Sequence, residues 1–598
     1  MKHMMKILIS VVLMLTVSCG ALAEAAAVQP LYKAGAYQAE VAGQVGPIVV
    51  ETVFDEDEIL EVNVLSHSET RIVSTPAIEK MPQKIVEAQS LAVDTVSSCT
   101  VTSAAILYGV RLCAEQAGAD LALLTAKLPE AEKVDEELQA DVIVVGGGLA
   151  GLTAAASAAD SGKQVILFEK LAAVGGSSAL SGGMFDVVGT QLQKDMGVTP
   201  SVDELVELWM QADEQMSMKP YNAEIDYRAN RKMLLENSLA AYEFLNAHGD
   251  PTSTDIITGS NWGGYALQFY SANRKDKQDT YDAGGAEHTD MLEKWLKGLD
   301  NVEIRYESPV VELIVKDGAV CGVIADAKSG KVTAYASDVI LATGGYNRNG
   351  ELLERFTGEP AAFAPYACAG VGTTGDGIIM AEAIGADVYD EGFSVTMGFP
   401  LTAGYIKAAI NGVKGHLIID ANGGRVVSFN AGKPEFITKF TEAYKATGAV
   451  YELYDSASAS VPVLEENLSN YRVFKAETLA ELAALIGVDP AVLEKTVADY
   501  NAVCDAGSDP EFGQTTLVKI ENGPFYATSH MLSNYATFGG LKTNDKYEVL
   551  AEDGTVIPGL YAAGELVTGK IVNQYYMTGS MLLNCIVSGM IAGAEAAL

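Results

Sequence analysis

Residues 141–170 read DVIVVGGGLAGLTAAASAADSGKQVILFEK, and this stretch decides the fold. The apolar run DVIVV is typical of a short buried strand, the alanine-rich part after the glycines favours a helix, and QVILFEK predicts a second strand. Gly146, Gly148 and Gly151 have the spacing G-x-G-x-x-G, and Glu169 closes the second strand about twenty residues on. The stretch therefore predicts a βαβ unit that binds a dinucleotide.

Each glycine has its own physical role in this prediction. Gly146 permits the tight turn, Gly148 lets the backbone approach a pyrophosphate, and Gly151 lets the helix meet the strand. The helix N-terminus faces the negative charge of the phosphates, and Glu169 would accept hydrogen bonds from the ribose hydroxyls. A lone glycine motif is weak, so the prediction depends on the strand, helix, strand and acid around it.

The residues that follow favour FAD, bound noncovalently, over a nicotinamide dinucleotide. Residues 169–187 read EKLAAVGGSSALSGGMFDV and supply more glycines and hydroxyls than a nicotinamide site needs. Such a set suits a large cofactor that is held permanently. The candidate FAD-binding residues of this part of the chain are Gly146, Gly148, Leu149, Ala150, Gly151, Glu169, Lys170, Gly176, Ser177, Ser178, Ser181, Gly182 and Gly183.

Composition bounds the class of protein. A chain of 598 residues should divide into three or four domains, and 49% hydrophobic with 20% charged residues is typical of folded globular proteins. The formal net charge of -38 argues against nucleic acid as a partner, because phosphate recognition needs a basic face. The six histidines have no metal-ligand spacing and the cysteines form no C-x-x-C pair, so neither a metal nor a c-type haem is predicted.

The N-terminus predicts an exported protein. Residues 1–23 combine the basic start MKHMMK, an apolar run of about a dozen residues and the sequence ALA, which is typical of a secretory signal peptide. Cys19 offers an alternative, a lipoprotein signal in which this cysteine carries the lipid anchor. The other six cysteines are scattered, which in an exported protein would suit an anaerobic habitat. The apolar run 582–598 is short and contains polar residues, so a buried helix is predicted there.

A separate unit precedes the dinucleotide fold. Residues 35–65 alternate apolar and polar side chains, which predicts paired antiparallel strands, and helices are predicted over 77–89 and 104–117. Between the helices, residues 94–103 read DTVSSCTVTS. These hydroxyls could form a solvated turn and a helix cap. The charged, proline-bearing residues 128–140 predict a linker.

Several motifs beyond the βαβ unit resemble the flavoprotein family of fumarate reductases, urocanate reductases and ketosteroid dehydrogenases. They are GGSSALSGG after Glu169, ATGG at 342–345, GTTGDG at 372–377 and PGLYAAGE at 558–565. The resemblance implies an α/β fold, namely a Rossmann-like FAD-binding domain with an inserted α+β capping domain, preceded by a small α+β FMN-binding domain. It adds Ala342, Thr343, Gly344, Asp376, Gly564, Glu565, Ser580 and Leu582 to the candidate FAD-binding residues.

The resemblance also sets the expected domain boundaries. The FMN-binding domain is expected at 30–127, the first part of the FAD-binding domain at 141–386, the capping domain at 387–526 and the second part of the FAD-binding domain at 527–598. The substrate cleft is expected between the capping domain and the FAD.

The hydroxyl-rich segment resembles the D-x-x-S-G-A-T pattern of FMN-binding domains fused to such reductases. In that family a dedicated FMN transferase esterifies the last threonine to the FMN phosphate, which implies covalent FMN on Thr100, with Asp94 and Ser97 in the recognised segment. Ser98 and Cys99 replace the usual Gly-Ala, so a noncovalent or empty domain is the alternative.

The resemblance stops at the substrate site. Fumarate reductases hold a dicarboxylate with histidines and arginines, but the corresponding positions here are Gly370, Ala536 and Tyr576. The segment of the proton-donating arginine is reduced to GGRVVSF at 423–429, with Lys433 near the arginine position as a candidate proton donor. A dicarboxylate substrate is therefore disfavoured.

Aromatic residues replace these anchors, namely Tyr535, Phe538, Tyr575 and Tyr576. Ketosteroid dehydrogenases bind a ketone oxygen with a tyrosine hydroxyl and a glycine N–H four residues later, and Tyr575 and Gly579 have this spacing. A neutral tyrosine polarises a carbonyl without needing a counter-anion. Alternatively, the tyrosines are only packing surface.

These observations predict an exported two-flavin reductase. An extracytoplasmic or membrane electron donor would reduce FMN, and electrons would pass through FAD to a small molecule whose C=C bond is conjugated to a carbonyl. Two alternatives remain open at this point, a ketosteroid-type dehydrogenase and a non-catalytic flavin electron carrier.

Overall fold

The computed structural model describes residues 30–598 except 44–45, 70, 98, 130–132, 217–223, 253–256, 259–262, 273–283, 359–360, 362–363, 365–366, 391, 401–416, 429–430, 432, 467, 469–472 and 574. The signal peptide predicted for 1–23, with Cys19, and Ser98 of the FMN segment lie outside the described residues.

The elements follow in chain order. The strands are β1 (Gly35–Ala42), β2 (Pro47–Phe54), β3 (Ile59–His67), β4 (Glu136–Gln139), β5 (Val142–Val145), β6 (Val165–Phe168), β7 (Phe185–Asp186), β8 (Ile257–Thr258), β9 (Ala266–Phe269), β10 (Val302–Arg305), β11 (Val310–Lys316), β12 (Ala319–Ala327), β13 (Gly330–Tyr335), β14 (Asp338–Leu341), β15 (Phe393–Pro400), β16 (Leu417–Asp420), β17 (Val450–Tyr454), β18 (Val473–Ala476), β19 (Phe525–Phe538), β20 (Glu548–Leu550) and β21 (Val556–Ala562). The helices are α1 (Arg71–Ala88), α2 (Thr100–Gln116), α3 (Leu121–Leu124), α4 (Leu149–Asp160), α5 (Gly176–Ala179), α6 (Gln191–Asp195), α7 (Val202–Met216), α8 (Tyr227–Glu236), α9 (Ser238–Ala247), α10 (Gly285–Leu296), α11 (Gly350–Thr357), α12 (Asp376–Glu382), α13 (Lys433–Thr447), α14 (Val461–Glu466), α15 (Leu479–Ile486), α16 (Pro490–Ala506) and α17 (Ser580–Glu595), with a 3₁₀ helix at Gly564–Lys570.

The N-terminal domain packs helices on a three-stranded antiparallel sheet in the order β1-β2-β3. Alternate residues of β2, among them Ile48, Val50 and Phe54, are buried, so one face of the strand forms the core. Gly109 of α2 crosses this face so closely that a Cβ there would lie 2.7 Å from Val50. Helix α2 begins at Thr100, four residues before the predicted start.

The FAD-binding domain is built on a six-stranded sheet in the order β10-β6-β5-β14-β21-β20, parallel except for β20. Strands β5 and β6 are buried along their whole length, which is why their residues are apolar without alternation. Helix α17 packs against α4, and Gly589 and Gly593 bring its backbone next to the carbonyls of Ala150 and Ala154. The apolar C-terminal run is thus the buried helix that its sequence predicted. Among the described helices, none is both long and apolar enough to cross a bilayer.

The capping domain has its own sheet in the order β15-β19-β17-β16, with β18 also paired to β19. Strand β19 runs through the predicted boundary at 526/527 and stays paired with β15 up to Phe538, so that boundary falls inside the cap sheet. Near the predicted upstream boundary, Val388 bridges to Leu541 of the FAD-binding domain. The cap sheet begins at Phe393.

The predicted linker 128–140 is not irregular throughout. Glu136–Gln139 forms strand β4, which pairs in parallel with β13 in a second sheet of the order β11-β12-β13-β4. Its side chains alternate between half-buried and exposed positions, which is the pattern of an edge strand with polar residues. The charged composition of this segment concealed its period of two.

Candidate active site

The turn between β5 and α4 has the geometry predicted for its three glycines. Gly146 has φ +107°, and a Cβ there would collide with the carbonyl of Ala342. A Cβ at Gly151 would collide with the carbonyl of Gly146, so glycine lets α4 start close to the turn. At Gly148 no described atom lies within 4 Å of a Cβ position. The turn therefore leaves open space at the N-terminus of α4, where a pyrophosphate would lie.

Glu169 is held in place at the end of β6 by backbone amides. Its Oε2 accepts a hydrogen bond from the N–H of Gly147 at 2.7 Å, and its Oε1 accepts one from Leu171 at 2.8 Å. Burial raises the pKa of Glu169, although both amides favour the ionised form. The carboxylate lines the same open space as Gly148, which is the position predicted for a partner of the ribose.

A second group of polar residues faces the βαβ unit. The Nζ of Lys170 donates to Asp376 Oδ2 and to Thr374 Oγ1, both at 2.6 Å. The hydroxyl of Thr343, just after β14, accepts a hydrogen bond from the N–H of Gly377 at 3.2 Å. The ATGG and GTTGDG motifs are therefore joined in space, beside the predicted cofactor site.

The glycine- and serine-rich segment 175–183 folds back on itself. The Oγ of Ser181 donates to the carbonyl of Ser178 at 2.7 Å, and Ser178 Oγ accepts from the N–H of Leu149 at 3.4 Å. The ring of the buried His288 lies between two acceptors, the carbonyl of Gly183 at 2.8 Å from Nε2 and the carboxylate of Asp250 at Nδ1. His288 from α10 thus fixes the end of the segment.

Glu565 links the capping strand to the FAD-binding domain. It accepts hydrogen bonds from the N–H of Thr537 at 2.8 Å and from its Oγ1 at 3.0 Å. Burial raises the pKa of Glu565, although these hydrogen bonds favour its ionised form. The hydroxyl of Thr537 also accepts from the N–H of Tyr346 at 3.0 Å, so β19 is tied to the loop after β14 as well.

These segments line one cavity that is open to solvent. The cavity joins the glycine turn, the carboxylate of Glu169 and the segment 176–178. This elongated arrangement, with open space at the helix N-terminus, fits an FAD. The lining residues are Val145, Gly146, Gly147, Gly148, Leu149, Ala150, Phe168, Glu169, Lys170, Leu171, Gly176, Ser177, Ser178, Val310, Ala342, Thr343, Gly344, Gly370, Gly372, Thr373, Asp376, Ala563, Gly564, Glu565 and Cys585.

Gly370 closes one side of this cavity. Its N–H donates to Ser177 Oγ at 3.0 Å, and a Cβ would lie 2.9 Å from backbone atoms of both Gly176 and Ser177. Backbone at this distance has to shift before any side chain fits. The position at which the resemblance to fumarate reductases implied a substrate-binding histidine thus has no room for one.

Four aromatic side chains, Tyr535, Phe538, Tyr575 and Tyr576, form a cluster that we call the tyrosine cluster. The hydroxyls of Tyr535 and Tyr576 are hydrogen bonded to each other. The ring of Tyr576 lies 5.7 Å from that of Phe538 and 6.4 Å from that of Tyr575, between centroids. Burial raises the pKa of Tyr575, so this phenol stays neutral at physiological pH.

The remaining catalytic candidates differ in how they are placed. Gly579 precedes α17 with φ +98°, and a Cβ there would collide with the buried carboxylate of Asp186. Glycine is thus required where the sequence predicted an N–H donor to the substrate carbonyl. Lys433 is the first residue of α13, and its side chain lies outside the described part of the structure.

Comparison with protein families decides what this arrangement is. The FAD binding domain family matches residues 141–583, and the FMN-binding domain family matches residues 43–115. The chain belongs to the FAD binding domain family. The predicted resemblance and the predicted cofactors, FAD and covalent FMN, are confirmed at the level of these two domains, and the chain is an FAD-dependent oxidoreductase of the fumarate-reductase-like class.

Relatives within this FAD binding domain family support the assignment. NADH:acrylate oxidoreductase of Vibrio harveyi is 31% identical over 94% of the chain, and the chain spans 61% of the length of that relative. Urocanate reductase of Eggerthella lenta is 30% identical over 93% of the chain and 91% of its own length. A solved flavocytochrome c3 fumarate reductase in an open conformation matches 77% of the chain and 78% of its own, with 28% identity and a TM-score of 0.63.

Asp94 and Ser97 of the predicted FMN segment lie at the contact between the two domains of this FAD binding domain protein. Ser97 Oγ donates to Glu307 Oε1 at 3.2 Å, and Lys328 Nζ lies 3.2 Å from Glu307 and 3.8 Å from Asp94. Thr100 is exposed at the start of α2. The N-cap residue Cys99 makes no side-chain cap hydrogen bond, whereas Ser103 Oγ accepts from the N–H of Val96 at 3.1 Å.

Most predicted FAD-binding residues line the cavity. A few do not line it themselves but pack against the segments that do. Gly151 packs α4 on the turn, and Ser181 and Gly183 shape the segment behind Ser178. Ser580 is buried at the start of α17, where its Oγ donates to the carbonyl of Met577 at 2.6 Å. Gly182 and Leu582 are likewise outside the lining set.

Sequence reasoning missed several residues of the site. Gly372 and Thr373 were inside a quoted motif but were not singled out, whereas Phe168, Val310 and Cys585 carry no local signal. Burial raises the pKa of the Cys585 thiol to about 12.

Among the residues that the structure describes, no cluster of three or more His, Cys, Asp or Glu side chains could hold a metal.

Proposed function

We propose that the protein is an exported flavin-dependent reductase that saturates a C=C bond conjugated to a carbonyl, in a substrate more apolar than fumarate. When bound, FAD supplies the hydride chemistry and FMN on Thr100 supplies its electrons. The proposal includes a small unsaturated substrate, an extracytoplasmic or membrane electron donor and an FMN transferase for maturation. Export, with cleavage after residue 23 or lipidation of Cys19, is supported by the N-terminal sequence.

The proposed substrate class depends on one observation. A glycine without room for a side chain and a set of tyrosines stand where fumarate reductases have charged substrate-binding residues. Gly370 leaves no room for a histidine, and Tyr576 occupies the position of an arginine. A dicarboxylate at these two positions would lose hydration without meeting a histidine or an arginine there, which costs several kcal/mol per ion. A carbonyl with an apolar body loses far less and gains a hydrogen bond from a phenol.

The protein groups would act on the carbonyl end of the substrate. Tyr575 is a neutral donor because burial raises its pKa, so it can stabilise negative charge that develops on a carbonyl oxygen. In the hydrogen bond between Tyr535 and Tyr576, one hydroxyl donates and the other accepts. Lys433 stays a candidate for delivery of the proton to carbon.

The relatives support the reaction class. One is named for acrylate and one for urocanate, and both names describe unsaturated carboxylates that are not dicarboxylates of the fumarate type. Reduction of a C=C bond conjugated to a carbonyl is the chemistry shared by these names, and we extend it to this chain.

The test is anaerobic reoxidation of the chemically reduced holoprotein, followed by flavin absorbance. We expect rapid recovery of the oxidised spectrum with an apolar enone or an aryl acrylate and little recovery with fumarate. Fast reoxidation by fumarate would contradict the substrate class. If none of the acceptors restores the oxidised spectrum, the electron carrier is favoured. If a saturated ketone bleaches the oxidised protein, the dehydrogenase is favoured.

A further inference from the structure

The backbone that carries Tyr575 and Tyr576 of the tyrosine cluster is held by side chains of two helices and one strand. Residues 571–579, which we call the tyrosine loop, lie between the 3₁₀ helix and α17, and those of them that the structure describes form no helix or strand. Irregular backbone that is buried must find hydrogen-bond partners outside a helix or sheet. Here those partners come from α7, α8 and β9.

Three side chains of α7 and α8 bond to this loop. Asp213 Oδ1 accepts from the N–H of Tyr575 at 2.8 Å, and Trp209 Nε1 donates to the carbonyl of Tyr575 at 2.9 Å. Arg231 Nε donates to the carbonyl of Ile571 at 2.9 Å. Both polar backbone groups of Tyr575 are therefore fixed from one side.

The three side chains also fix one another. Arg231 forms an ion pair with Asp213, and both side chains are fully buried. The guanidinium lies 4.6 Å from the ring centre of Trp209 and 5.4 Å from that of Tyr227, which holds its plane. A buried ion pair contributes little net stability because both charges lose water. Its evident effect here is geometric, since it ties Ile571 and Tyr575 to one rigid group.

A fourth contact restrains the far end of the loop. Gln268 Nε2 of β9 donates to the carbonyl of Thr578 at 2.5 Å, one residue before Gly579. The loop is thus restrained at its start, at Tyr575 and at its end. A hydroxyl that must meet a substrate oxygen needs this precision, because a misplacement of about 1 Å can cost about 100-fold in rate.

From this geometry we infer that Trp209, Asp213 and Arg231 are positioning residues, which set the Tyr575 backbone and hence the direction of its hydroxyl toward the substrate carbonyl. The inference rests on the proposed function, since it assigns a purpose to the placement of that hydroxyl. None of the three residues needs to touch the substrate.

The test uses Trp209→Phe in the holoprotein, which removes one hydrogen-bond donor and keeps an aromatic ring beside Arg231. We expect kcat and kcat/KM for an enone acceptor to fall together, between about 10- and 100-fold, with KM little changed. FAD content and the rate of flavin reduction by dithionite should stay at wild-type values. Trp295→Phe, beside His248 at 4.5 Å between ring centres, is the matched control.

A second variant separates positioning from general loosening of the fold. In a Tyr575→Phe background, Trp209→Phe should have no further effect on kcat, because both changes act through one hydroxyl. Additive losses, or a Trp209→Phe variant as active as Trp295→Phe, would overturn the inference. A wild-type protein that reduces no acceptor would instead overturn the proposed function and this assignment with it.

Discussion

In the proposed function, Tyr575 and Gly370 are the residues that most directly set the substrate class. The first supplies a neutral donor and the second removes the space for a cationic side chain. Their effects are independent, because one acts through a hydroxyl and the other through backbone packing. They therefore lead to two separate predictions.

Replacement of Tyr575 by Phe should lower kcat/KM for an enone by about 100-fold, the usual effect of losing one donor to a developing oxyanion. FAD content should not change. Because burial raises the pKa of Tyr575, wild-type activity should show no loss from phenol ionisation below about pH 10. Steady-state kinetics across pH check both points, with the more exposed Tyr335→Phe as control.

Replacement of Gly370 by Ala should disturb the cofactor segment, since the new Cβ would lie 2.9 Å from the backbone of Gly176 and Ser177. We expect a loss of about 1–3 kcal/mol in unfolding free energy and a lower FAD content after purification. Gly424→Ala is the control, because its nearest neighbour, Asp420, is 3.5 Å away. A Gly370→Ala protein with full FAD content and unchanged stability would show that the backbone around Gly370 shifts easily to accommodate a side chain.

At the scale of single elements, local patterns and long-range contacts have to be separated. The βαβ unit was predictable because its glycine spacing and apolar runs are encoded within thirty residues, 141–170. Strand β4 was missed because its partner β13 lies almost two hundred residues away, and only that pairing explains its alternation. Asp213 and Tyr575 are 362 residues apart in the chain, so no local pattern could join them.

The contact of α10 with the cofactor segment predicts a pH dependence. Burial favours a neutral His288, but the charge of Asp250 and the hydrogen bonds to Asp250 and Gly183 outweigh it and raise the pKa. Stability from this ring is therefore fully present below its unfolded pKa of about 6.5 and is lost as pH rises through the folded pKa.

Thermal unfolding of His288→Gln and wild type from acid to alkaline pH checks this. The Tm advantage of the wild type should be largest below about pH 6.5 and shrink at higher pH. His248→Gln, which loses a pair with the half-exposed Asp160, serves as control. A Tm difference between His288→Gln and wild type that grows with pH would contradict the assignment of a protonated ring.

At the scale of the whole molecule, the contact between the two flavin domains includes a polar group around Glu307. Burial opposes ionisation of Glu307, but Lys328 and Ser97 hold the pKa of this carboxyl below its usual value. The order of the domains was predictable from the motifs. The contact between the domains was not, because the residues of this polar group are ordinary surface side chains from three separate segments of the chain.

Glu307→Gln should slow electron transfer between the flavins by up to about fivefold, equivalent to about 1 kcal/mol for a partly exposed charge contact. FMN and FAD contents should remain unchanged. Stopped-flow absorbance after rapid mixing with the electron donor measures the step, and Glu303→Gln, a neighbouring carboxylate paired only to Arg305 among its described contacts, is the control. An unchanged rate would show that this contact does not set the transfer geometry.

The most direct test of the two-flavin account is an anaerobic titration of the fully reduced holoprotein with a C=C acceptor conjugated to a carbonyl. Each C=C bond takes up two electrons and two protons, so the wild type should consume about two equivalents before both flavins are oxidised. Thr100→Ala, with its FMN lost, should consume about one, and Thr95→Ala should match the wild type. A wild-type protein that consumes only one equivalent, or none, would contradict the account.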